Sequence, residues 1–131
     1  MTGLQTWLFR SRKGNWAEQL AADYLSREKR HQILARNYLT AFGEIDIISE
    51  DDETLVFTEV KYRENTDHGL PGQAVGKAKQ RHIIQTALYY LQENAVDDRA
   101  LRFDVIEVWQ RDKDRLAIHH IENAFQTDRD Y

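Results

Sequence analysis

The chain has no cysteine, one proline and six glycines in 131 residues. Without thiols there is no disulfide scaffold, no thiol catalysis and no cysteine-based zinc site. So little proline and glycine excludes a collagen-like or linker-rich chain. Long apolar runs are missing too. The longest near the N-terminus is Trp7-Leu8-Phe9, too short for a signal-peptide core or a membrane span. A cytoplasmic location is the expectation that follows. What is present is 41% hydrophobic and 31% charged, the balance of a folded globular chain. The length suits one domain, able to bury roughly two-thirds of its unfolded surface in one core.

The net charge of −4 argues against a nucleic-acid partner, but its distribution argues for one. Residues 1–41 hold seven Lys/Arg against three Asp/Glu, and residues 42–60 hold seven acids and no base. Residues 61–90 return to five bases and two acids. An acidic block between basic segments suits cations held beside a surface for anions. Part of that block, Ser49-Glu50-Asp51-Asp52-Glu53, reads simply as a solvated turn.

Residues 1–13 lack periodicity and end in the basic run Arg10-Ser11-Arg12-Lys13. They read as a loosely held basic arm ahead of a single domain over 14–131. From Asn15 the pattern turns helical, with Ala17, Leu20, Ala21, Tyr24 and Leu25 on one stripe. Ile33-Leu34-Ala35 with Tyr38-Leu39, then Glu44–Ile48 after Gly43, then Leu55–Lys61 read as three strands. Asn65, Gly69, Pro71 and Gly72 mark a loop over 64–73. A second helix is expected from about Val75 to Glu93. Phe103–Trp109 and Leu116–Ile121 complete the set as strands. The order α-β-β-β-α-β-β predicts a mixed central sheet flanked by helices, in the α/β class.

The second hairpin carries the chemistry. With Asp51–Thr54 as the turn, Ile47 lies opposite Thr58, Asp46 opposite Glu59 and Glu44 opposite Lys61. Alternation then puts Glu44, Asp46, Glu59 and Lys61 on one face, and Ile45, Ile47, Thr58 and Val60 on the other. Two carboxylates about 4 Å apart repel by roughly 4 kcal/mol at an effective dielectric near 20. A raised pKa, exposure to water or a divalent cation relieves this. Magnesium takes oxygen ligands and needs only one or two carboxylates beside a phosphate. Asp46 and Glu59 fit that role, with the Val60 carbonyl near the same ion and Lys61 beside the attacking water. A plain ion network, Glu44 with Lys61 and Asp46 half-exposed, satisfies the same spacing. Glu18, at the rim of the first helix's apolar stripe, either reaches past the core to solvent or supplies a third carboxylate.

Taken in order, these residues resemble a known family. Gly43-Glu44-Ile45-Asp46 followed by Glu59-Val60-Lys61 is similar to the Asp…Glu-x-Lys signature of restriction-endonuclease-like nucleases. Within that superfamily the chain resembles the YraN family, uncharacterised bacterial proteins related to Holliday-junction resolvases. The resemblance runs from Gly14 to Phe125. It takes in Gly14-Asn15-Trp16-Ala17-Glu18, Arg36-Asn37-Tyr38, Phe57–Arg63, Arg102–Ile106 and Ile121–Phe125. It implies a restriction-endonuclease-like core and a magnesium-dependent phosphodiesterase, with manganese as a substitute. Glu18, Asp46 and Glu59 would surround the metal, with Lys61 beside the nucleophilic water. Leu39-Thr40 departs from it, standing where family members often carry another base. The implied substrate is branched or duplex DNA, and a homodimer suits a resolvase that cuts two strands symmetrically.

Lys77 and Arg81 lie four apart on the second helix, Lys79 lies to the side and Arg63 follows the Glu-x-Lys strand. All four could contact phosphates, which position a duplex without reading its sequence. A solvated basic helix face has the same pattern. The five histidines share no ligand spacing and read as structural or exposed. Asp104 is expected to pair with a nearby arginine, and the tryptophans to pack. Two other classes remain open. One is a nucleic-acid-binding or scaffold protein that keeps the nuclease fold without catalysis. The other is a metal-free acid/base enzyme using Asp46 and Glu59.

Overall fold

The computed structural model describes residues 3–8, 16–64, 75–112 and 115–127, with the backbone alone over 3–8. The elements follow as β1 (Gly3–Leu8), α1 (Trp16–Arg27), β2 (Gln32–Thr40), β3 (Gly43–Asp51) and β4 (Thr54–Arg63). They continue as α2 (Lys77–Glu93), β5 (Ala100–Asp112) and β6 (Arg115–Phe125). The strands form one sheet in the order β1-β6-β5-β4-β3-β2. Every neighbouring pair is antiparallel except β4 and β5. That parallel pair needs a crossover, and α2 lies within it. The fold is α/β, with the α-β-β-β-α-β-β order read from the sequence preceded by one further strand.

That strand corrects the reading of a loose arm. Gly3–Leu8 pair along β6, from Gly3 opposite His120 to Leu8 opposite Arg115. Without apolar periodicity the segment gave no strand signal. Ladder hydrogen bonds to an open sheet edge are main-chain contacts and do not require one. The loop expected over 64–73 falls almost wholly outside the described residues.

Each sheet face has its own core and its own helix. Leu20, Ala21, Tyr24 and Leu25 of α1 pack on Ile47, Ile106, Val108, Leu116 and Ile118. Ile83 and Ala87 of α2 pack on Ile45, Ile48, Leu55, Phe57, Phe103 and Val105. β4 and β5 contribute to both clusters, so they read as near-continuous apolar runs in the sequence. Among the described residues no helix is long and apolar enough to cross a membrane.

β3 does not alternate evenly. Ile47 belongs to the α1 face, whereas Ile45 and Ile48 belong to the α2 face. Uniform alternation would have kept Ile45 with Ile47. The irregularity lies at Asp46. β2 has its match at Asn37, which adopts φ 50°. Pairing holds on either side, Arg36 opposite Ile47 and Tyr38 opposite Ile45. Asn37 and Asp46 are thus set out of phase together, and the β2–β3 register holds across them, its shift lying instead between Ile33 and Ala35.

Candidate active site

The turn at Asp51–Thr54 fixes the β3–β4 register as its length requires, with Ile48 opposite Phe57 and Ile47 opposite Thr58. Pairing goes no further. Beyond it the Asp46 carboxylate accepts the backbone N–H of Val60 at 2.8 Å. Asp46 therefore stands between the strands rather than squarely on a face. From there it shares hydrogen bonds with Glu59 and with Glu18.

Glu18 comes from the first turn of α1, one residue past the buried Ala17. Its carboxylate accepts both contacts of the Asn37 amide, at 2.8 and 3.2 Å. The same amide lies 3.5 Å from Glu44 Oε1. One carboxylate oxygen from each of Glu18, Glu44 and Asp46 falls within 4.8 Å of the other two. Among the described residues no lysine or arginine forms an ion pair with any of these three acids. Burial pushes the Asp46 carboxyl up to about 7, reinforced by the hydrogen bond and charge of Glu59 and opposed by the Val60 N–H. Glu18 is raised as well, by burial first and then by the charge of Asp46. Crowded acids whose hydrogen-bond donors among the described residues are the Asn37 amide and the Val60 N–H suit a hard divalent cation, which oxygen donors hold.

The expected residues are only partly brought together. Glu18 and Asp46 meet. Glu59 touches Asp46, yet its Oε2 lies 3.2 Å from Lys79 Nζ of α2. That contact puts Glu59 toward the α2 side of β4, while Glu18 arrives from the α1 side. Glu44 turns to Asn37 rather than to Lys61, and it is the acid the sequence reading left out of the metal site. Its place two residues before Asp46 was the available signal. Lys61 is half-buried and lies opposite Glu107 across the β4–β5 pair.

Of the four expected phosphate contacts, Lys77 and Arg81 are exposed on α2. Lys79 is engaged with Glu59. Arg63 is turned inward, with Nε 3.0 Å from Glu107 Oε2 and its guanidinium over the Trp109 ring. Glu107 is fully buried and also meets His119 Nδ1 at 3.0 Å. Sequence reading did not single out Glu107, because one glutamate in an alternating strand carries no mark of burial.

On the other face, Asp104 pairs with arginine as expected. Arg102 reaches both its oxygens, at 2.9 and 3.1 Å. His120 Nε2 lies 2.8 Å from Asp104, and its Nδ1 lies 3.1 Å from the Tyr24 hydroxyl. Burial pushes the Tyr24 phenol up to about 12, so it meets His120 Nδ1 as a neutral hydroxyl. His119 and His120 thus serve opposite faces, and both are structural. This network ties α1, and with it Glu18, to β5 and β6.

Residues 17–108 match the profile of the uncharacterised protein family UPF0102. A UPF0102 protein of Syntrophotalea carbinolica is 44% identical over 115 residues, covering 88% of this chain and 92% of its own. One from Lachnoclostridium phytofermentans is 46% identical over 114 residues, with coverages of 86% and 92%. One from Clostridioides difficile is 42% identical over 113 residues, with coverages of 86% and 96%.

Proposed function

The chain belongs to the uncharacterised family UPF0102, the YraN family, and from that premise we propose that it is a magnesium-dependent endonuclease hydrolysing DNA phosphodiester bonds, with branched DNA as the substrate. The observation that carries this reading is the meeting of Glu18, Glu44 and Asp46 oxygens within 4.8 Å. They lie beside Glu59-Val60-Lys61 and have no cationic side chain among the described residues to neutralise them. The three acids would hold the ion, with Glu59 and the Val60 carbonyl alongside, and manganese would substitute. Such an ion polarises the phosphoryl oxygen and lowers the pKa of a bound water. Asn37 orients Glu18 and Glu44 through its amide. The Val60 N–H holds Asp46 toward its neighbours. Lys61 orients the attacking water at the end of β4.

A second reading is a DNA-binding or scaffold protein that keeps this fold without turnover. The observation favouring it is the 3.2 Å Lys79–Glu59 ion pair, which neutralises an acid that the catalytic reading needs. The two readings separate by calorimetric titration of the full chain with Mg²⁺ and Mn²⁺, paired with cleavage assays on branched and duplex DNA. Saturable binding and cleavage, both lost in Asp46→Asn, are expected. Cleavage by Asp46→Asn at the parental rate would overturn the metal-nuclease reading. Absence of metal binding even with DNA present would leave the scaffold.

A further inference from the structure

The side of α2 turned away from the core carries Lys77, Arg81, Gln85 and Tyr89, all exposed and spaced along one helix face. At its far end Tyr89 meets Phe42, from the turn between β2 and β3, with ring centroids 6.3 Å apart and planes tilted by 56°. A cavity of about 220 Å³ opens there, walled by the two rings with Tyr38, Leu39 and Glu93. Leu39 is 72%, Phe42 47% and Tyr89 42% exposed. Large apolar side chains grouped on a small surface mark a contact site more often than chance exposure.

The turn that presents Phe42 is fixed. The Thr40 hydroxyl donates to the Gly43 carbonyl at 3.2 Å and accepts the Phe42 N–H at 3.1 Å. It also meets the Thr86 hydroxyl of α2 at 3.4 Å. Gly43, at φ +154°, lies so close to α2 that a Cβ would stand 3.4 Å from both His82 and Thr86. Phe42 is therefore held open against Tyr89 by a tie between hairpin and helix.

We propose that the Phe42–Tyr89 cleft is a stacking subsite for an unpaired nucleobase. Exposed aromatic faces in line with cations are what single strands require, because every base has a face to stack and every phosphate a charge to meet. Arg81 and Tyr89, eight residues apart, stand about 12 Å apart along the helix. A strand can thus rest its backbone on one and a base on the other. Leu39, on the wall of the cleft, pairs across the hairpin with Glu44, one of the clustered acids. The preferred substrate class is then DNA with unpaired bases beside the scissile bond, an overhang or an open branch point, over uninterrupted duplex. This inference rests on the nuclease reading for the cut but not for the binding.

The test uses the full chain in EDTA, so that nothing is cut. Fluorescence anisotropy measures affinity for a blunt duplex and for the same duplex with an overhang carrying 2-aminopurine. The parent should bind the overhang more tightly and change the 2-aminopurine emission. Phe42→Ala and Tyr89→Ala should each weaken overhang binding by about 5- to 150-fold, the range for loss of one stacked base. Duplex binding should be unchanged and Tyr89→Phe should behave as the parent. Equal effects on both DNAs, or none on either, would overturn the proposal. So would a parental dimer in sedimentation that Phe42→Ala makes monomeric, since the patch would then be a contact between copies. A parent that stacks the overhang yet never cuts with Mg²⁺ refutes the nuclease reading and keeps the subsite. A parent that cuts both DNAs alike, with Phe42→Ala indifferent, keeps the nuclease and refutes the subsite.

Discussion

Asp46 of β3 accepts the backbone N–H of Val60 on β4 at 2.8 Å, just past the last pairing of those two strands. A side chain thus fills a place where a neighbouring main-chain carbonyl would stand in a continued ladder. The strands part there, and the carboxylate is fixed between Glu18 and Glu59 instead of rotating freely on a sheet face. One hydrogen bond both opens the sheet and aims the acid.

Replacing Asp46 by asparagine separates chemistry from binding. Magnesium-dependent cleavage should be abolished, while DNA affinity should stay equal or rise slightly, because a negative charge facing the phosphates is gone. The salt dependence of binding should barely change, since its slope counts lysine and arginine contacts, about 0.9 per phosphate neutralised. Anisotropy titrations at several salt concentrations, beside a cleavage assay, read out all of this.

The double replacement of Lys77 and Arg81 by alanine should do the reverse. Both side chains are exposed on α2, so their loss should flatten the salt slope by up to about two units. Magnesium binding, followed by calorimetry, should be untouched. Lys79→Ala should differ from both, because it also releases Glu59 from its ion pair. Cation affinity should then rise while the slope falls by less.

Much of this is legible in the sequence. The apolar stripe from Ala17 to Leu25 gave α1. The four-residue turn gave the register that sets Ile47 opposite Thr58. Glu18 was visible at the stripe's edge. What escaped was non-local. The paired irregularity at Asn37 and Asp46 leaves no mark in either strand, since polar residues interrupt strands routinely. It displaced Ile45 to the other face and freed Glu44 for the acid cluster. β1 escaped because an edge strand can be held by main-chain bonds alone. Lys79 read as a surface cation because only the packing of α2 brings it to Glu59.

Asn37 has two duties that substitution can part. It adopts φ 50°, where asparagine and glycine are tolerated and alanine is strained, and its amide bridges Glu18 and Glu44. Asn37→Gly should keep the backbone and lose the bridge. Thermal stability in EDTA should stay close to the parent while cation affinity and cleavage fall. Asn37→Ala should lose both, adding a cost of about 1–2 kcal/mol, or roughly 3–10 °C in Tm. Calorimetric melts of the two variants decide it. Equal Tm for Ala and Gly would show that the backbone there is not strained.

His31 and Asp104 should each withdraw stability as pH falls, in two separate ranges. His31 is buried, with Nδ1 2.9 Å from the Ser49 hydroxyl. Burial holds its pKa below 6.5, and the opposing pull of Asp51, 3.6 Å from Nε2, is the weaker effect. The unfolded chain therefore takes up this proton first as pH falls. Stability is full above 6.5 and declines from there down to the folded value. Asp104 supplies the second stage. Burial pushes its carboxyl up, but hydrogen bonds from His120, Arg102 and the Asn123 N–H outweigh that and hold it below 3.8. Its contribution is present above 3.8 and is lost as pH falls through the lower folded value. His31→Gln should remove the first stage and leave the second. Asp104→Asn should be less stable at pH 7 by about 3–5 kcal/mol, the cost of breaking a buried pair, and should lack the second stage. Urea midpoints measured from pH 8 to pH 3 test both. The Asp46 carboxyl, pushed up to about 7, adds stability as pH falls through that same range, so the His31 stage is read as the difference between the parent and His31→Gln. Parallel curves for those two between pH 7 and pH 4 would refute the His31 stage, and an Asp104→Asn curve parallel to the parent below pH 4 would refute the other.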